Sequence, residues 1–164
     1  MSVGTTFNGL PPWAKGTISV ILVAGVIGGT YLTFKKIKTI VEDRKRRDEE
    51  KAITDKLTEL NKNPSTKQKL SDISIKSMAN VIQTSLNGMG TDYWAVSTEI
   101  NRLKNDADFL ALKEAFGTRI INSGVYLVPD FKGSLSECIR DEMSADEVLD
   151  LNKLIAGKGI KYRI

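Results

Sequence analysis

Apolar residues are distributed along the chain in three patterns. The first is an unbroken run, Ile18 to Phe34 (ISVILVAGVIGGTYLTF), seventeen residues without a charge. As a helix it measures about 25 Å at about 1.5 Å per residue, close to the apolar thickness of a bilayer. Trp13, Tyr31 and Phe34 sit where interfacial aromatics belong, and Lys35, Lys36 and Lys38 follow at once. The pattern predicts one N-terminal transmembrane helix over 13–34, anchored by Trp13, Ile18, Tyr31, Phe34 and the three lysines. Gly25 and Gly29, four apart on one face, have the spacing of a helix–helix contact and of a homo-oligomer through the span, the alternative being that glycine is simply tolerated in lipid. Lys15 is the only charge ahead of the run, so the excess of positive charge behind it predicts a single-pass protein with its C-terminal part on the cytoplasmic or interior side.

The second pattern is nearly all charge. Between Lys35 and Asn61, nine basic residues interleave with seven acidic ones, many at i, i+3 or i+4 spacing. That predicts a solvated helical stalk over 35–63. Its apolar positions, Ile37, Ile40 and Val41, then Ile53, Leu57 and Leu60, cover only its two ends. Asn63-Pro64-Ser65 breaks it. Ahead of the span, residues 1–12 are polar and glycine-rich and read as a disordered tip.

The third pattern, over 64–164, has helical period. It predicts helices from Thr66 to Leu86, from Asp92 to Lys104 behind Thr91, from Asp106 or Asp108 to a stop at Gly117, and from Ser134 to Met143. A fifth runs from Ser144 to Gly157. The last two open with capping boxes, Ser134-x-x-Glu137 and Ser144-x-x-Glu147. Between Gly117 and Gly133 lies the one non-helical insertion; its Val125-Tyr126-Leu127-Val128 reads as a strand, with the alternating tail Ile160 to Ile164 as its partner in a small hairpin. The fold class is therefore mainly α: span, stalk and a compact five-helix domain.

Composition narrows the chemistry. The chain has no His, which removes Ser-His, Cys-His and His-zinc sites together. Its single Cys138 has no thiol partner and no base, so it reads as an inert buried thiol. A net charge of +4 from 24 basic and 20 acidic residues is too balanced to imply nucleic acid, and the acids beside Arg44 to Arg47 argue against it. An enzyme such as a wall hydrolase would need two facing carboxylates, and no spacing selects a pair from Glu99, Glu114 and Glu142. The expectation is a non-enzymatic protein without a cofactor.

Leu86-Asn87-Gly88-Met89-Gly90-Thr91-Asp92 resembles the Gly-x-Gly-Thr-Asp loop of an annexin repeat. The helix that follows, Ala115-Phe116, and Ile139-Arg140-Asp141-Glu142-Met143-Ser144 fall in that family's order, over roughly Thr66 to Ile155. The resemblance implies a five-helix repeat and a calcium ion held by backbone carbonyls of Leu86, Gly88 and Gly90 with the carboxylate of Glu142, bridging to phospholipid. It departs from the family in its single repeat, in the 117–133 insertion, and in Asn87 where a basic residue is usual. The same residues also serve as a tight interhelical turn with a helix cap. As a whole the architecture is similar to minor membrane proteins of viruses that enclose a bilayer in a capsid. Two functions follow as expectations: a scaffold that docks a capsid or membrane-complex protein beside a lipid bilayer, or calcium-dependent binding of phospholipid or partner.

Overall fold

The computed structural model describes residues 30–88 and 90–164, with side chains from residue 39 onward. Contacts divide the chain into two compact units, Met1–Lys45 and Arg46–Ile164. Helix α1 (Thr30–Asn61) supplies everything described of the first unit and continues into the second. The second unit adds α2 (Asp72–Leu86), α3 (Tyr93–Arg102), α4 (Asp106–Phe116), β1 (Arg119–Ile121), β2 (Phe131–Gly133), α5 (Leu135–Glu142) and α6 (Ala145–Gly157). The protein is thus mainly helical with one small antiparallel sheet, in which Arg119 faces Gly133, Ile120 faces Lys132 and Ile121 faces Phe131.

The expected membrane-spanning helix over 13–34 is corrected by this architecture. Among the described residues no helix is long and apolar enough to cross a membrane. The described helix, Thr30–Asn61, carries charge from Lys35 onward. Trp13, Ile18, Gly25 and Gly29, with the tip 1–12, lie outside the described residues. Tyr31, Phe34, Lys35, Lys36 and Lys38 belong to the backbone of α1.

In the second unit the core is laid down by the helical period. Helix α2 buries Ile75, Met78, Ala79, Ile82 and Leu86, a stripe at three- and four-residue steps, and Ser71 caps its start by accepting a hydrogen bond from Ser74 N–H at 3.2 Å. Helix α4 is the central element: every residue from Ala107 to Leu112 is buried, along with Phe116. Six consecutive buried residues point to every side of the helix, and α2, α5 and the C-terminal tail pack against it. Each large aliphatic or aromatic side chain buried here contributes about 1.5–3 kcal/mol.

The one polar residue in that buried stretch, Asp108, is not a defect. Its Oδ1 accepts from Lys69 N–H at 2.7 Å and Leu70 N–H at 3.0 Å, and its Oδ2 from Lys104 N–H at 2.9 Å. Three backbone donors of two connecting segments are satisfied by one carboxylate, which holds both segments to the central helix.

The second half of the expected stalk belongs to this unit. Leu57 is buried in the core and Ile53 and Leu60 pack against it. Polar contacts fix the same stretch: Thr54 Oγ1 donates to Glu114 at 2.7 Å, Lys113 pairs with Glu49 at 3.2 Å, and Thr118 Oγ1 donates to Glu50 at 2.9 Å. Arg46 donates to the Lys132 carbonyl at 3.0 Å and lies 3.5 Å from the Glu137 carboxylate.

The hairpin also differs from its expected form. Val125 to Val128 is the turn and not a strand: Gly124 takes φ +69, and Val128 N–H bonds back to Val125 O at 3.0 Å. The pairing strands flank it, because Ile121 and Gly133 reach the buried side. Nor does the tail pair with it. Ile160 and Ile164 are buried, Tyr162 stacks on Phe109 with centroids 6.2 Å apart, and Arg140 donates to Ile164 O at 2.7 Å. Burial of alternate tail residues in the helical core wins over strand pairing.

Candidate functional site

The turn between α2 and α3 is built by glycine. Gly88 and Gly90 have φ +95 and +88, a region in which a side chain is strained. Gly88 N–H donates to Asn122 O at 2.8 Å, and Asn122 N–H donates to Asn87 Oδ1 at 2.9 Å, so the turn is pinned to the segment leaving β1. Asp92, and not Thr91, caps α3, accepting from Ala95 N–H at 2.9 Å. Thr91 is used elsewhere: its hydroxyl donates to the Glu142 backbone carbonyl at 2.9 Å.

That contact brings the glycine turn to the end of α5. Of the four residues singled out for calcium, Leu86 is fully buried, Gly88 and Gly90 form the turn, and Glu142 closes the helix beside it. Glu142 is half-buried, and burial pushes its carboxyl above the usual range, with the charge of Asp141 adding to the effect. Among the described residues no group of three or more His, Cys, Asp or Glu side chains is arranged to hold a metal. A cation here would therefore depend mainly on backbone carbonyls, with one carboxylate.

A second feature is a groove between α3 and α6. Tyr93, Trp94, Ser97 and Asn101 form one wall, and Asp150, Lys153, Leu154 and Gly157 the other. Lys153 and Asp150 are paired at 2.8 Å on the rim. Trp94 is 75% exposed. Ala95, Val96, Ile100 and Leu103 account for the core side of α3, and a tryptophan left over on the other face is the signal by which the sequence could have marked this groove.

The remaining candidates serve structure. Cys138 is buried and its thiol is pushed up to about 12 by burial and by the charge of Glu137, which leaves it protonated and unreactive. Glu99 is buried and paired with Arg102 on its own helix, and Glu114 accepts from Thr54. These carboxylates are engaged separately, on α3 and α4. Arg119, which sequence reasoning passed over, lies across the Phe116 ring at 4.9 Å and donates to Phe116 O, Asn80 Oδ1 and Gln83 Oε1 at 2.7–3.0 Å, joining β1 to α2 and α4.

Comparison with protein-family models, with curated proteins and with solved structures finds no match to this chain.

Proposed function

We propose that the second unit is a non-enzymatic interaction module that docks a protein partner in the groove between α3 and α6. The exposure of Trp94 carries the reading. A large aromatic with a polar handle, set at the edge of a groove with a paired-charge rim, is the composition that dominates binding energy at protein interfaces. The reading is tested by a photoreactive group at Ser97 in the full chain, irradiated in the native membrane. It is supported by a discrete adduct that disappears with Trp94→Ala, and overturned if the adduct forms equally without Trp94 or forms equally from a probe at exposed Lys67.

For the setting, we propose that the chain associates with a lipid bilayer on its cytoplasmic or interior side. The support is sequence alone: the uncharged run 18–34 with lysines behind it. The likeness to minor membrane proteins of bilayer-containing viruses suggests a capsid component as the docked partner. Co-sedimentation of the full chain with phosphatidylcholine and phosphatidylserine vesicles checks the bilayer association, which fails if the chain stays in the supernatant.

A second reading is favoured by the contact from Thr91 to Glu142: calcium binding at the annexin-like turn by carbonyls of Leu86, Gly88 and Gly90 with Glu142. A carboxylate whose charged form is disfavoured by burial and by Asp141 is one that a cation would stabilise. Millimolar calcium should raise the melting temperature by several degrees over chelator, since a ligand at about 100 times its Kd adds about 2.7 kcal/mol. Equal melting temperatures in calcium and chelator would remove this reading, as would a shift that survives Glu142→Gln.

A further inference from the structure

We propose that the tip of the β1–β2 hairpin, residues 124–128, inserts into the headgroup region of a lipid bilayer. Four consecutive apolar side chains form this turn, and none has a place in the core: Tyr126 is 102% exposed, Leu127 87%, Val128 50% and Val125 43%. From Ile120 to Pro129 the chain carries no charge. An exposed apolar cluster on a protrusion, which has no concave surface of its own to fill, matches a deformable apolar phase better than it matches a pocketed partner.

The turn is also prepared for leaving water. Ser123 Oγ donates to Val128 O at 2.8 Å and accepts from Val125 N–H at 3.3 Å, while Val128 N–H bonds to Val125 O at 3.0 Å. Backbone groups on both sides of the apex are thereby paired within the turn, which lowers the cost of burying them in a medium without water. Behind the apolar apex stand cations at strand level. Lys132 is exposed on β2, and Arg46 is tied to its carbonyl at 3.0 Å, with exposed Arg47 next in α1. Apolar groups ahead of basic ones is the order of a surface that meets phospholipid headgroups. Eleven residues lie between Phe34, the end of the uncharged run, and Arg46.

The inference deepens the bilayer association proposed above and is tested so that the two fail differently. The buried, protonated thiol of Cys138 leaves Leu127→Cys as the one reactive site for an environment-sensitive fluorophore in the full chain. The labelled protein is mixed with vesicles of phosphatidylcholine and phosphatidylserine, with and without bromine on the upper acyl carbons, beside a control labelled at exposed Asp150→Cys. Insertion predicts a blue shift at position 127 and bromine quenching several-fold larger than at position 150, with the quenching lost when Tyr126→Asp is added. Bound chain with equal, weak quenching at both positions overturns the tip and leaves the bilayer association standing. A blue shift without bromine quenching also overturns it, by burying the tip in protein, whether a partner or a second copy. Protein that stays in solution overturns both readings.

Discussion

Two connections in the second unit are treated in opposite ways. The segment between α1 and α2 is polar and exposed but is tied to the body: Asp108 holds Lys69 and Leu70 by their amides, and Asn105 Nδ2 donates to Lys67 O at 2.8 Å. The segment between β1 and β2 is apolar and is left outside, bonded mainly to itself through Ser123. Hydrophobicity alone would have left the polar segment loose and buried the apolar one. The difference teaches that a buried carboxylate with three backbone donors can tie an exposed polar loop to the core, whereas an apolar turn stays outside when the core is already filled by Ile121, Phe109 and Leu112.

The comparison breaks most sharply at Asp108. Asp108→Ala leaves three part-buried amides without their acceptor, and the expected loss is about 2–4 kcal/mol in urea denaturation; Asp108→Asn should recover part of it. Next is Gly133, at the base of the hairpin. A Cβ there would stand 2.6 Å from Phe131 Cε1 and 2.9 Å from Glu137 Cβ, so Gly133→Ala should cost about 1–3 kcal/mol by overpacking, read by the same denaturation. Thr91→Val removes one hydrogen bond between the glycine turn and α5, with an expected loss of about 1 kcal/mol.

Smaller effects come from the two carboxylates around α5, whose pKa shifts have opposite sign. Burial alone would raise Glu137, but hydrogen bonds from Ser134 and the charge of Arg46 outweigh it and hold the carboxyl below the usual range. Its contribution to stability is therefore complete above the ordinary Glu pKa and is lost as pH falls through the depressed folded value. Glu142 is raised, so it opposes folding once pH has risen through its folded value. Thermal melts across the acid range should show Glu137→Gln with a shallower acid loss. Glu142→Gln should be slightly more stable than the parent at neutral pH without calcium. The smallest effect belongs to the apex: Tyr126→Ser with Leu127→Ser should change stability by less than about 0.5 kcal/mol, because neither side chain is buried.

What the sequence made legible is what is decided locally. The starts of α5 and α6 follow from capping boxes whose partners are three residues apart; Ser134 N–H and Ser144 N–H donate to Glu137 and Glu147 at 2.8 and 2.9 Å. The glycine turn at 88–90 and the break at Asn63-Pro64-Ser65 are local as well. Interactions between distant residues were not legible. Asp106 and Asp108 looked like caps for α4, but Asn105 caps it, accepting from Asp108 N–H at 2.9 Å, and the Asp108 carboxylate serves amides 38 and 39 residues earlier. Val125 to Val128 has strand composition, yet pairing was set by the residues on either side of it. Ile53, Leu57 and Leu60 were visible as an apolar stripe, but not the surface they pack on. In the candidate site the glycine turn was legible, but the hydrogen bond from Thr91 to the Glu142 carbonyl was not; Trp94 was missed because helical periodicity assigns only the inward residues.

Amide hydrogen exchange on the full chain, with and without vesicles of phosphatidylcholine and phosphatidylserine, tests the contrast between the two connections most directly. The amides of Lys69, Leu70 and Lys104 should exchange only with global unfolding, while those of Tyr126 and Leu127 exchange rapidly in solution and slow on the vesicles. Protection of Tyr126 and Leu127 in the absence of lipid, or exchange at Lys69 and Leu70 as fast as at the tip, would contradict it.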